Sequence, residues 1–262
     1  MGGVAAVAAA AALALSPAQF LQAHSANGAF AEPGGRADAT LTAWAVLGLR
    51  AAGADAPGSL QYLRSQEPAL QSTTDVALVA LAERALGGTP AALVARLAAA
   101  ERPNGQIGPS VNSTIWAVLA LGRSPAATTR FVLAHQARNG GFAWYAGGQP
   151  DSNDTAAALE LFRVAHVTGR PARRAVAFLL GFQRGDGGFE LAKGRGSDAQ
   201  STAWAIQGLV AAGRTPPRSA FAYLARLKRP DGSYRYSAQY VTTPVWVTAQ
   251  VLAALAKRPF PL

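Results

Sequence analysis

The chain is 262 residues long, half apolar, only 15% charged and free of cysteine. That composition excludes a disordered chain, which is apolar-poor and charge-rich, and it excludes disulfides, thiolate nucleophiles and Cys-ligated zinc. The net charge is +10, from 24 Lys and Arg against 14 Asp and Glu. Its cations are scattered, Arg173-Arg174 being the one adjacent arginine pair, and no basic run is interleaved with aromatics. Nucleic acid is therefore not an expected partner; either the surface is merely solvated, or it is drawn to an anionic membrane or cell wall. His24, His135 and His166 are isolated, so no metal or other cofactor is expected.

At the N-terminus, Val4 to Leu15 is an unbroken Ala/Val/Leu run. A spanning helix needs ~20 residues, so the run is too short to cross a bilayer. It fits the apolar stretch of a signal peptide, with Ser16-Pro17-Ala18 as a small-residue cleavage site, although only Met-Gly-Gly precedes it. Residues 1–18 are read as a candidate signal peptide, with export or a cell-surface location expected and a cytoplasmic one left open. The alternative is an Ala-rich helix packed into the fold.

From there the chain repeats itself. Turn segments run in order: Ser25-Ala-Asn-Gly-Ala-Phe30, a degenerate copy near Glu67, Glu101-Arg-Pro-Asn-Gly-Gln-Ile107, Gln136-Ala-Arg-Asn-Gly-Gly-Phe142, Gln183-Arg-Gly-Asp-Gly-Gly-Phe189 and Lys228-Arg-Pro-Asp-Gly-Ser-Tyr234. An apolar helix precedes each turn, as at Tyr62-Leu63, Phe131-Val132, Phe178-Leu179 and Tyr223-Leu224. An Ala-rich helix follows, marked near its start by Thr42, Thr74, Thr114, Thr155, Thr202 or Thr248. The spacings of these threonines, 32, 40, 41, 47 and 46 residues, are those of helical-hairpin repeats. Glycine permits the chain reversal, and the Thr hydroxyl bonds backbone near the helix start. The 61 alanines suit second helices crowded into an inner ring. Six hairpins make an all-α fold, as an open solenoid or a closed toroid. Closure buries both ends without polar capping repeats, and none is evident.

The Gln-x3-Gly-x-Phe turns and the Thr-Ala-Trp-Ala helices, above all Asp198-Ala-Gln-Ser-Thr-Ala-Trp204, resemble the repeats of squalene–hopene cyclase and other class II terpene cyclases. These belong to the prenyltransferase/squalene-oxidase repeat superfamily, and the resemblance runs from about Phe20 to Leu255. It implies a single α/α6 toroid over residues 19–262, and an isomerase that folds an isoprenoid in a central cavity. The zinc prenyltransferase branch needs a Cys ligand that this chain lacks. Triterpene cyclases use two toroids, so a partner domain or a homo-oligomer is expected to complete the enclosure.

Asp151-Ser152-Asn153-Asp154-Thr155-Ala156 lies where those cyclases carry Asp-x-Asp-Asp-Thr-Ala. The resemblance implies that the middle carboxyl protonates an alkene or epoxide, chemistry that needs clustered acids with shifted pKa values in a dry pocket. Here the middle position is Asn153, and an amide cannot deliver that proton. Asp151 and Asp154 remain as candidate acids; their alternative is helix capping, since Asp38 and Asp198 occupy the position of Asp151. Trp44, Trp116, Trp204, Trp246 and Asn153 are candidate substrate-binding residues; the tryptophans would steady a cation through their π faces, or else pack the core. Trp144, Tyr145, Tyr234, Tyr236 and Tyr240 either ring one mouth or pack loops. Three functions follow: a terpene cyclase-like enzyme, a non-catalytic exported toroid that binds a ligand or protein, and, more distantly, a glycan-active α/α6 enzyme.

Overall fold

A computed structural model describes residues 15–262. The apolar run before Leu15 lies outside the described residues. Among the described residues, twelve α-helices alternate between two concentric rings. The outer ring holds α1 (Pro17–Ala23), α3 (Ser59–Gln66), α5 (Ala91–Ala99), α7 (Ala126–Ala134), α9 (Arg170–Leu180) and α11 (Arg218–Leu227). The inner ring holds α2 (Ala39–Ala51), α4 (Thr73–Ala85), α6 (Val111–Leu121), α8 (Ser152–Val164), α10 (Ala199–Ala211) and α12 (Pro244–Leu255). Each inner helix packs on the next, and α12 packs on α2, so the ring closes. The toroid is the expected one. Its first outer helix is α1, capped by Ser16 and anchored in the core by Phe20 and Leu21.

Closure follows from small residues. A Cβ on Gly48 of α2 would lie 2.4 Å from the Ala249 carbonyl oxygen of α12, and one on Gly208 would lie 2.8 Å from Ala156 Cα. Glu32 adds a clamp, its carboxylate accepting from the Val245 and Trp246 amides at 2.9 and 2.8 Å, at the start of α12. The inner helices are buried almost all round, whereas the outer helices bury one stripe.

The turn device recurs. Gly140 has φ +97, and a Cβ there would lie 2.5 Å from the Arg174 carbonyl oxygen of the next outer helix. Gln136 Nε2 donates to the Gly140 and Pro171 carbonyls, both at 2.9 Å, and so ties the turn to its neighbour. The turn aromatic then docks on the inner helix: the Phe142 amide donates to Thr155 Oγ1 at 2.9 Å, and that hydroxyl donates to the Asp151 carbonyl at 2.6 Å. Phe30, Ile107, Phe189 and Tyr234 bond Thr42, Thr114, Thr202 and Thr248 in the same way. Two short hairpins border such turns: β1 (Ser25–Ala26) pairs antiparallel with β2 (Ala29–Phe30), and β3 (Phe189–Glu190) with β4 (Ser197–Asp198).

The second repeat corrects the sequence register. Its inner helix is capped by Ser72, so the position of the other threonines is held by Val76, and Thr74 lies two residues earlier, facing the axis. A 3-10 turn, Glu67–Ala69, replaces the glycine turn there.

Two of the arginines close helix ends. At the C-termini of the inner helices Arg50 donates to the Ala85 carbonyl at 3.1 Å, and Arg84 to that of Ala120. A cation at a helix C-terminus satisfies free carbonyls and suits the helix dipole.

Candidate functional site

The inner helices start at one end of the ring, and their N-caps set a common register. Asp38, Ser72, Ser110, Asp151 and Asp198 cap α2, α4, α6, α8 and α10 through their side chains. Two residues beyond each cap, Thr40, Thr74, Asn112, Asn153 and Gln200 face the axis, and Trp246 of α12 joins them. One turn deeper come Trp44, Leu78, Trp116, Ala157 and Trp204. Between these layers lies an axial cavity of about 370 Å³.

Its floor is a triangle of indoles. Trp44, Trp116 and Trp204 meet edge to face, with ring centroids 5.4, 5.9 and 5.7 Å apart. That arrangement places positive ring edges on negative faces and is favoured for aromatic pairs. Trp204 Nε1 donates to Gln250 Oε1 at 3.1 Å. Under the triangle sits the Phe260 ring, 6.1–6.4 Å from each indole and fully buried.

The wall carries the acids. Asp151 caps α8, its Oδ1 accepting from the Asp154 amide at 2.8 Å, and Asp154 accepts from Asn112 Nδ2 of α6 at 2.7 Å. Burial pushes the Asp154 carboxyl up to about 8; the neighbouring Asp151 charge adds to this, and the Asn112 bond opposes it. Burial also raises Asp151, held down in part by the Asp154 and Asn153 amides. The two carboxyls titrate as a coupled pair, both raised by burial. Asn153 is half-buried on the cavity wall and accepts from Ser152 Oγ at 3.2 Å.

The structure thus brings Asp151, Asn153, Asp154, Trp44, Trp116, Trp204 and Trp246 to one cavity. Asp151 also caps a helix, so for that residue capping and a place at the cavity coexist. Of the mouth aromatics, Trp144 lines the cavity and is exposed like Tyr145 and Tyr240, whereas Tyr234 is buried in loop packing. Sequence reasoning missed Asn112, whose Oδ1 is buried without a partner, and Asp75, which accepts from Thr40 and Ser72 at 3.0 and 2.6 Å on the same wall. Counting from the caps would have found both. Phe260 lies outside the repeats and has no such signal. A larger cleft, about 600 Å³, opens beside α9 at the other end of α8, but no carboxylate among the described residues lines it. The acids and indoles converge on the axial cavity, which is therefore the candidate site.

No protein-family profile and no curated protein matches this sequence. Among solved structures, a protein from Actinoplanes superposes with a TM-score of 0.73 at 18% identity, over 92% of this chain and 97% of that one. Apo type II terpene cyclase MstE from Scytonema matches at 0.68 and 17% identity, over 92% of this chain and 95% of its own. MstE variants have also been solved with geranylgeranyl dihydroxybenzoate as substrate and merosterolic acid A as product. The ent-copalyl diphosphate synthase from Streptomyces platensis matches at 0.58 and 23% identity, over 83% of this chain and 50% of that chain. At these identities the likeness is one of fold, and the fold is the single toroid of type II terpene cyclases.

Proposed function

We propose that the toroid binds an apolar isoprenoid in its axial cavity and that Asp154 starts its cyclisation by donating a proton. The observation that carries this reading is a buried carboxyl pair, Asp151 and Asp154, set in the wall of a cavity floored by three indoles, where burial raises both acids. The indole faces can steady a developing carbocation. A water-sized group takes roughly 30 Å³, so about 370 Å³ holds on the order of a dozen heavy atoms. That favours a chain of about ten to fifteen carbons over a triterpene. A carboxyl near 8 is a weak acid, so an oxygenated end such as an epoxide suits it better than a bare alkene. The unpaired Asn112 Oδ1 and the Asn153 amide offer polar contacts beside it. The test is incubation with geraniol- and farnesol-derived epoxides, with products read by mass spectrometry. Cyclised product from the wild type, none from Asp154→Asn, and retained binding in that variant support the proposal.

A second reading rests on Asn153, which stands where the resemblance implies the proton donor. It makes the toroid a non-catalytic carrier of the same class of ligand. An isoprenoid retained through purification and no turnover of any epoxide would favour it. We place either activity outside the cytoplasm, at an anionic membrane or wall; the net charge of +10 supports this.

A further inference from the structure

We infer that the segment from Lys257 to Leu262 is a plug that fixes the depth of the axial cavity and so the length of chain it accepts. This rests on the isoprenoid reading above. After α12 the chain turns back under the inner ring and inserts Phe260 into the axis. The ring meets all three floor indoles from below, at 6.1, 6.4 and 6.3 Å. Arg163, at the end of α8, anchors the segment by donating from one nitrogen to three successive carbonyls, those of Pro259, Phe260 and Pro261, at 3.2, 2.7 and 3.1 Å. The Phe260 amide also faces Glu160, although neither carboxylate oxygen of this fully buried side chain forms a well-shaped hydrogen bond.

None of this is needed to close the toroid, because the inner ring already closes through α12 and α2. What the segment adds is a second barrier beneath the indoles. Trp204 is pinned by Gln250, but Trp44 and Trp116 have no side-chain hydrogen bond among the described residues and are held by packing. Without Phe260 these two rings have room to swing down the axis. The cavity then deepens toward the layer of Leu47, Leu81 and Gln207, which lies three residues beyond the indole positions and is buried. Each buried methylene changes affinity roughly three- to fourfold, so one added isoprene unit is a measurable step.

The experiment compares geraniol, farnesol and geranylgeraniol binding to the wild type, Phe260→Ala and Arg163→Ala by native mass spectrometry, with acrylamide quenching of tryptophan fluorescence in parallel. In Phe260→Ala the preference should shift toward geranylgeraniol by about tenfold or more, with increased quenching. Arg163→Ala, which keeps the phenyl ring but frees its anchor, should move both in the same direction by less. If Phe260→Ala fails to fold, Phe260→Leu replaces it, with the same expectation. Folded variants with the wild-type chain-length order overturn the proposal, whether or not quenching rises. Should neither the wild type nor any variant bind the three prenols, the isoprenoid reading falls and the chain-length role falls with it, whereas an unchanged order in a wild type that does bind them overturns the plug alone.

Discussion

Replacing Asp154 with Asn tests the protonation state at the centre of the site. Asn is nearly isosteric with the neutral acid and still accepts the hydrogen bond that Asn112 Nδ2 donates at 2.7 Å. The folded chain raises the Asp154 carboxyl from 3.8 to about 8, so between those values it holds a proton that the unfolded chain releases. Stability is therefore full below about pH 4 and is lost as pH rises through about 8. At ~1.4 kcal/mol per unit the ceiling on that loss is ~6 kcal/mol. Asp198, Glu83 and Glu160 are also raised by burial, to about 6, 7 and 8, and slope the same way. They are present in both proteins, so the difference between wild type and variant isolates Asp154 and the relief of its neighbour Asp151. Thermal melts near pH 4, where Asp154 is protonated in both the folded and the unfolded chain, should nearly coincide. At pH 9 the variant should melt higher; if a third of the ceiling is realised, ~2 kcal/mol, the gain is about 4–8 °C for a domain of this size. Melting curves that stay parallel from pH 4 to pH 9 would refute the reasoning, because they would mean that Asp154 is an ordinary ionised residue in both states.

Trp116→Ala removes one side of the indole triangle and should cost ~3–5 kcal/mol in chemical denaturation, with weakened prenol binding. Thr155→Val breaks a hydroxyl that joins the Phe142 amide to the Asp151 carbonyl, and should cost ~1–3 kcal/mol by the same measurement. The reverse change, Val76→Thr, adds a hydroxyl where the turn offers no docked aromatic, and should leave stability within about 1 kcal/mol. If the charge of +10 serves an anionic surface, the protein should co-sediment with phosphatidylglycerol vesicles but not with phosphatidylcholine ones, and should come off at about 0.5 M salt.

The fold was legible because hairpin repeats write the same physical need in five of the six copies. Gly140 and its counterparts must turn back against a neighbouring helix, and Thr155 and its counterparts must catch a turn amide. Both needs leave a residue type at a fixed place. The second repeat failed this reading because Thr74 imitates the marker two positions early, while the apolar Val76 fills the true slot. The candidate site was half legible. Asp151 and Asp154 stood out through their motif and the tryptophans through their recurrence, but Asn112 was hidden because its partner lies 42 residues away on another helix. Phe260 was hidden because tertiary packing alone brings it under the floor.

Capping and chemistry were posed as rivals for Asp151, and the geometry shows why they need not be. An N-cap carboxylate accepts the amide three residues on, which here belongs to Asp154. The cap thus fixes the backbone of Asp154 and places a second carboxyl beside it, raising the Asp154 pKa by charge as well as by burial. The other carboxylate-capped helices lack this arrangement, since Leu41 and Ser201 occupy that third position in α2 and α10. Ser72 of α4 is followed there by Asp75, but the cap is a neutral hydroxyl and cannot add the charge. Among the described caps only α8 combines a charged cap, an acid at the third position and, three residues deeper, the small Ala157, where α2, α6 and α10 place tryptophan. The repeat supplies a ring of similar places; the departures on α8 make one of them a buried acid pair with open space beneath it.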